Sequence, residues 1–444
     1  TVSALTNSTA KFTPSGAGTG TVTATSTQDT TKSGASAAIT VTAANPKIAS
    51  LSLQTLYADA EAGFVGMTIN GSDFQAGGTF VTDPAGIVYS SVIDSSTQLS
   101  ITLGIDTPHT SPGWFTLQAC QPNGGTCSNQ MSLAFLGNQN MLALSASGEL
   151  YFDQQGANSP PASAVSIWKY KPDGTPDGTL SVGFDHGIAV DDKTGDVVIA
   201  ENGSTGGMYV FGGQGSQNGY PMMAAIAKNG NACVTQLSVS FLSCLDLTSS
   251  APNPTLNSIT VGSQPISVAA GLFGTETDAF VFSRDGNPTL WKVDISGGNP
   301  ILKGSVSLTG MTPAATLYQK NPFAGGWHVA VFDSGPASGT AAALSTADNL
   351  LLFVNTSSMT ITKSVTLPGV PFRIAVDKTH GKLVVAFADP VNVRTTFASV
   401  DPTTGTVTPL TTTSDLLAVG FQVSPDGKSI YSCMRDKCEV LPNK

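Results

Sequence analysis

The chain has 444 residues, only 11% of them charged, and twenty basic against thirty acidic side chains leave a formal charge of −10. About a quarter charged is usual for soluble domains, so Ser, Thr, Asn, Gln and Gly must cover much of the surface, as in a secreted bacterial β-protein rather than a cytosolic enzyme. No basic run offers the clustered Lys and Arg that a phosphate backbone requires, which argues against nucleic acid as a partner. No stretch approaches the ~18 apolar residues of a membrane span.

Residues 1–44 are rich in Thr, Ser and Gly and alternate as strands do, in "TGTVTATST" and "SAAITVTA". With Thr19–Ser26 as a strand, Asp29–Ser33 as a turn and Ala37–Thr42 as a second strand, this segment resembles the closing half of a bacterial group 2 immunoglobulin-like domain. Such a domain needs about seven strands in two sheets and this segment offers about three. It therefore reads as a partial module or a strand-exchange segment. The sequence starts at Thr1 with no signal peptide ahead of it, which reads as a mature or processed product.

Residues 45–136 carry "PKIASLSL", "FVGMTINGSDF", "SSTQLSI" and "GWFTLQAC" in that order. Those phrases resemble an IPT/TIG-like immunoglobulin module of the kind found in large bacterial surface proteins. The resemblance implies a second β-sandwich over these residues.

In residues 137–444 one phrase recurs. "GIAVDDKTGDVVIA" at Gly187–Ala200 returns as "RIAVDKTHGKLVVA" at Arg373–Ala386 and more loosely as "GFQVSPDGKSIYSC" at Gly420–Cys433. Each is an apolar strand, a polar turn and a second strand, which is a hairpin signature. Ile188 and Ile374 lie 186 residues apart, and Leu142 precedes Ile188 by 46. A period of roughly 40 to 50 residues with several strands per unit marks a β-propeller. Starts near 142, 188, 374 and 421, with three between, predict seven blades, six being the alternative. The segment is similar to YVTN/NHL-like secreted propellers, which implies four-stranded blades whose innermost strands line a central channel. Gly203–Gly219 and Phe323–Ser345 read as insertions, and the last blade, Leu416–Leu441, reads one strand short. A strand near Met131–Leu144 is expected to close the ring, since open sheet edges invite pairing with other chains. The expected fold class is all-β: immunoglobulin-like modules followed by the propeller.

The six cysteines fall into close pairs, Cys120/Cys127, Cys233/Cys244 and Cys433/Cys438, each bracketing a turn or hairpin. None has the flanking ligands of a zinc site. Six cysteines allow 15 connectivities, and adjacent pairing in an oxidising compartment is the expectation.

Among four histidines, only His186 lies near acidic groups. Asp185, His186, Glu201 and Asn202 are candidates to hold a divalent metal on the channel axis, as in gluconolactonase-like propellers. The competing reading makes them ordinary turn and strand-end residues, because no partner set is visible in other blades. Asp173 and Asp177 in "PDGTPDG" are calcium candidates, but Asp-Gly is also the favoured tight-turn dipeptide. No cofactor is otherwise implied. Trp114, Trp168, Trp291 and Trp327 are candidate sugar-stacking platforms; Trp168 and Trp291, in alternating strand patterns, read as blade-packing residues, and Trp327, beside a Gly-rich loop, is the candidate exposed aromatic for a glycan. Asn7, Asn70, Asn202 and Asn355 head glycosylation sequons. No Gly-x-Ser-x-Gly elbow occurs, and "GGQGSQNG" lacks the Lys-Ser/Thr of a phosphate loop.

These features predict a non-catalytic extracellular or cell-surface protein for structure or adhesion. Its incomplete N-terminal segment would join copies by strand edges into a filament, or bind a surface or matrix partner. The alternatives are a secreted propeller hydrolase or lactonase with a channel metal, and a carbohydrate-binding protein.

Overall fold

The computed structural model describes residues 2–6, 9–12, 18–41, 44–58, 63–83, 88–105, 113–122, 125–137, 142–154, 165–182, 185–191, 197–201, 207–210, 213–216, 221–236, 239–248, 256–284, 286–297, 299–318, 326–414, 420–434 and 437–444. The chain forms two compact units. One comprises Thr1–Ser52, Met67–Ile101 and Leu117–Met131, and the other comprises Leu53–Gly66, Thr102–Thr116 and Ser132–Lys444. Every described element is a strand except the five-residue helix Ala314–Tyr318.

In the first unit the N-terminal segment makes three antiparallel ribbons of two strands each. Val2–Thr6 pairs with Thr9–Phe12, Gly18–Gly20 with Ile39–Val41, and Thr23–Thr25 with Ser33–Ala35. Asp29 sets the turn before Ser33: its Oδ1 accepts from the Thr31 N–H at 3.0 Å and the Thr31 hydroxyl at 2.6 Å. Across residues 18–41 only Val22, Ile39 and Val41 are even half-buried. The small polar side chains of this stretch supply no core.

The strands that follow have one buried face. Val65, Met67 and Ile69 are buried while Phe64, Gly66 and Asn70 face solvent, and Leu99, Ile101 and Leu103 repeat the pattern. That period of two is what a sheet wet on one side requires. The hydrogen-bonded orders are Val88–Ile93, Gln98–Ile105, Gly63–Ser72, Lys47–Leu51, and Thr79–Asp83, Gly113–Cys120, Met131–Gly137, Thr55–Ala58. The Asn129 side chain stands in for a strand neighbour, accepting from Ile48 N–H at 2.9 Å and donating to Ile48 C=O at 3.1 Å. The Cys120–Cys127 disulfide braces the adjoining loop, where Gln121 Nε2 and Thr126 Oγ1 donate to Ala44 C=O and Asn45 Oδ1.

In the second unit, residues 142–442 make sheets of consecutive antiparallel strands. Their first strands are Leu142–Leu144, Asp185–Val190, Pro221–Ile226, Pro265–Phe273, Trp327–Phe332, Val370–Asp377 and Gly420–Val423. Each first strand lies beside the next, and Gly420–Val423 lies beside Leu142–Leu144, so the series closes on itself. The fold is all-β and β-propeller-like. The recurring phrase falls where it was expected, on the first two strands of the second, sixth and seventh sheets.

Two expectations fail. Met131–Gly137 does not complete the last sheet; it pairs in parallel with Thr55–Ala58, and the seventh sheet has three described strands. Closure comes instead from side chains: Cys433 packs with Leu142, Leu150 and Phe152, and Gln422 Nε2 donates to Leu142 C=O at 3.4 Å. Asn443 adds a clasp, donating to Asp377 Oδ2 at 2.7 Å and Gly427 C=O at 2.8 Å. Likewise the insertions expected at Gly203–Gly219 and Phe323–Ser345 are ring strands where those spans are described: Gly207–Val210 and Gly213–Ser216 are the third and fourth strands of the second sheet. Trp327–Phe332 and Thr340–Ser345 are the first two strands of the fifth sheet, with "WHVAVF" buried at every position. A strand covered on both faces reads as a continuous apolar run rather than an alternation.

The core lies between neighbouring sheets. Phe353, Leu344, Leu383 and Val385 share one cluster, and Phe280, Phe282, Val281 and Trp327 lie in another. Full burial of one such side chain contributes roughly 1.5–3 kcal/mol.

Candidate functional site

The seven first strands enclose a cavity of about 600 Å3 lined by residues 143–146, 188–190, 223–226, 267–270, 328–331, 373–376 and 422–425, with Lys228, Ser334, Lys378 and Thr379. Most of the wall is Ala, Val, Ile and Leu. The charged and imidazole groups fall at two levels, with Gln422 between them.

At the starts of the strands stand Ser267, His328 and Arg373, on three successive sheets. Two share a local cause. The pairing slips by one residue between Pro265 and Ser267, and again between Pro371 and Arg373. Proline gives no N–H to a ladder, so it sits at strand starts and bulges, and a bulge re-aims the residue that follows it. Ser267 Oγ accepts the Val329 N–H at 3.0 Å, tying the fourth sheet to the fifth. His328 and Arg373 are 4% and 3% exposed. Burial holds the His328 imidazole well below its ordinary pKa; the Arg373 charge lowers it further, and a backbone hydrogen bond with Phe372 opposes both. His328 is therefore neutral near pH 7, and Arg373 supplies the fixed charge of this level.

At the ends of the strands, Lys378 and Lys228 both face the buried Asp333 carboxylate, at 2.8 and 3.7 Å. The turn after Asp333 depends on Gly335, whose φ is +81° and whose Cβ, if present, would lie 1.9 Å from Lys378 C=O. Any side chain there would push the Lys378 backbone aside.

The sequence-derived metal candidates are only partly brought together. Asp185 and Glu201 are backbone partners across the first two strands of the second sheet. His186 occupies the slipped register position there, the position that Ile266 and Phe372 fill in their own sheets. Asn202 lies outside the described residues. Among the described residues no three His, Cys, Asp or Glu side chains converge as a metal site requires. Asp173 serves its turn, with Oδ1 accepting from the Thr175 N–H and hydroxyl at 2.9 and 2.7 Å, and these bonds lower its pKa. Asp177 pairs with Lys169 at 3.0 Å and Lys171 at 3.7 Å.

Trp327 departs from expectation. It is 1% exposed, buried in the core with the Arg284 guanidinium 5.3 Å from its ring centre, so it presents no face to a glycan. Its place in a strand buried at every position explains the burial better than the Gly-rich loop before it explains exposure. Trp291 donates to Ser283 Oγ at 2.8 Å, and Trp168 stacks on Tyr170. Of the sequons, Asn70 and Asn355 lie on strands, whereas Asn7 and Asn202 fall outside the described residues. All three disulfides join the adjacent cysteines, Cys120–Cys127, Cys233–Cys244 and Cys433–Cys438.

Sequence reasoning missed Ser267, His328 and Arg373. A usable signal was present in "QPISVAA" and "VPFRIAV", where proline stands two residues before the channel-facing side chain.

No protein-family model matches the chain, and no curated protein matches it. Among solved structures, a chain of the hydrazine synthase of Kuenenia stuttgartiensis is similar with a TM-score of 0.49 and 13% identity, over 68% of this chain and 94% of that one. The Pseudomonas aeruginosa periplasmic gluconolactonase is similar with a TM-score of 0.48 and 12% identity, over 76% and 97%. A chain of a mitotic checkpoint complex is similar with a TM-score of 0.47 and 12% identity, over 68% and 86%. Likenesses this distant say nothing of activity.

Proposed function

We propose that the chain is a non-catalytic extracytoplasmic assembly or adhesion protein, with a seven-bladed propeller as its head and immunoglobulin-like modules as its spacer. The observation that carries this reading is the exposure of the two N-terminal ribbons over residues 18–41. Two-stranded ribbons without a buried face are marginal in water by themselves, and among the described residues the two ribbons over residues 18–41 have no further strand on their edges. Open edges are templates for an added strand. A second copy of this chain supplies that strand, and a head-to-tail contact of this kind grows into a filament. The three disulfides and the sparse charge support an oxidising compartment.

The test compares the full chain with a variant lacking residues 1–41, by light scattering after size exclusion and by negative-stain electron microscopy. The full chain forms oligomers or fibres and the shortened chain is a monomer of unchanged thermal stability. A monomeric full chain at every concentration sinks the assembly reading.

A second reading rests on the Asp185–Glu201 pairing at the start of the second sheet. A propeller hydrolase with a channel metal predicts that calcium raises the melting temperature and that Glu201→Gln abolishes the rise. No calcium response removes it.

A further inference from the structure

Among the ring sheets the seventh alone has three described strands, and its third strand, Lys437–Pro442, has no strand beyond it among the described residues. In the third to sixth sheets a fourth strand covers the third: Phe241–Asp246, Thr289–Asp294, Leu350–Asn355 and Arg394–Val400 contain no exposed residue. In Lys437–Pro442, by contrast, Cys438, Val440 and Pro442 are exposed, Val440 at 61%.

The backbone of this edge is open as well. Cys438 faces Cys433 with 4.1 Å between their Cα atoms. Facing residues of an antiparallel pair lie about 4.5 Å apart where they share no ladder bonds and about 5.5 Å apart where they do. Cys438, and Val440 two residues on, therefore turn their N–H and C=O groups away from the neighbouring strand. The alternate residues bond within the sheet, as the Asn443 N–H does to Lys428 C=O at 2.8 Å. Outward backbone groups of this kind are a template for a further strand.

The fourth strands of the complete sheets show what fits such an edge. Asn257–Thr260 and Thr360–Thr366, "NSIT" and "TITKSVT", set exposed Ser and Thr beside covered Ile and Val. Ile39–Val41 has the same pattern, two half-buried apolar residues about the exposed Thr40, and it is paired on one edge only, with Gly18–Gly20. We propose that the Ile39–Val41 strand of one copy adds to Lys437–Pro442 of the next copy as the fourth strand of its seventh sheet. The incoming strand bonds the outward groups of Cys438 and Val440 and sets its side chains beside the exposed Val440. Because the two edges lie at different places in the chain, the contact is heterologous and repeats from copy to copy. This inference rests on the assembly reading and names its acceptor.

The test follows assembly of the full chain and its variants by light scattering after size exclusion, with amide hydrogen exchange over residues 437–442. Proline on a sheet edge removes only an outward N–H. Val440→Pro therefore keeps the melting temperature of the monomer and raises the concentration at which oligomers form by about tenfold or more, in keeping with one lost bond and its unpaired acceptor. Val440→Thr retains that N–H and assembles as the full chain does. Val41→Lys, on the donor strand, raises the concentration as well, since an edge lysine blunts pairing. Exchange over residues 437–442 slows by about tenfold or more as the full chain is concentrated from monomer to oligomer, and this decides the matter if Val440→Pro fails to fold. Oligomers that form as readily with Val440→Pro or with Val41→Lys overturn this pairing and leave the assembly reading standing, as does exchange that concentration does not slow. Protection already present in the dilute monomer assigns the edge to a segment of the same chain and also overturns it. A full chain that stays monomeric at every concentration overturns both.

Discussion

The N-terminal ribbons and the fifth and sixth sheets of the ring are both short antiparallel strands joined by tight turns, yet they bury opposite amounts of themselves. Residues 18–41 are exposed on both faces, whereas the strands Thr340–Ser345 and Lys382–Asp389 are covered on both. The backbone ladders are alike, so the difference lies in the side chains. "TVTATST" places threonines and alanines where "KLVVAFAD" places valines, leucine and phenylalanine. A hydrogen-bond ladder contributes little net stability when water competes for the same groups; apolar area decides which strands stand alone.

The sharpest way to test that comparison is a matched pair of truncations. Phe353→Ala, at a fully buried site, costs about 3–5 kcal/mol, while Val22→Ala in the ribbons stays within about 0.5 kcal/mol of zero by chemical denaturation. Equal effects would mean that the ribbons possess a core. Nearly as large is the expected loss for Lys292→Met. Lys292 lies 3.0 Å from Asp278, a carboxylate 1% exposed whose pKa is raised chiefly by burial. Stranding that carboxylate costs about 3 kcal/mol or more, and Asp278→Asn in the same background restores most of it.

Replacing Cys233 and Cys244 by alanine removes a bridge across two buried strands whose partners are eleven positions apart in sequence, and costs about 3 kcal/mol. Reduction of the intact protein reproduces the shift if the bridge is formed; an unchanged melting temperature contradicts it. The smallest effect is on acid stability. Bonds from Lys382 and then from the Thr404 N–H lower the Asp401 carboxyl to about pH 2. A depressed pKa contributes stability above the unfolded value near 3.9 and loses it as pH falls toward 2. Asp401→Asn therefore lowers stability by about 1 kcal/mol at pH 7, because neutral bonds replace charged ones, and by less at pH 2.5. An equal loss at both pH values would assign the effect to the turn rather than the charge.

The elements that were legible in the sequence share a property: their signal is local. The hairpin phrase at Gly187, Arg373 and Gly420 fixes two strands and a turn within fourteen residues, and the cysteine pairs lie within eleven of each other. The period marks where the first, second, sixth and seventh sheets begin, while the third and fourth begin well ahead of it, at Pro221 and Pro265. What was not legible depends on which strands become neighbours. "WHVAVF" was taken for the edge of an insertion because an all-buried strand lacks alternation, and Trp327 went with it. The strand Met131–Gly137 has a period suited to several sheets, and its parallel pairing with Thr55–Ala58 could not be foreseen from either segment.

The channel level is the clearest case. Ser267, His328 and Arg373 are separated by 61 and 45 residues, and nothing in their flanks refers to one another. The sequence by itself determined the recurring hairpins, their turns and the adjacent cysteine pairs, because hydrophobic period, turn residues and short cysteine spacing act over a few residues. Only the tertiary structure decided that three distant strand starts stand side by side around one cavity and that the ribbons over residues 18–41 stay uncovered. Those outcomes follow from ring closure and from which surfaces find a partner, and both are properties of the whole chain.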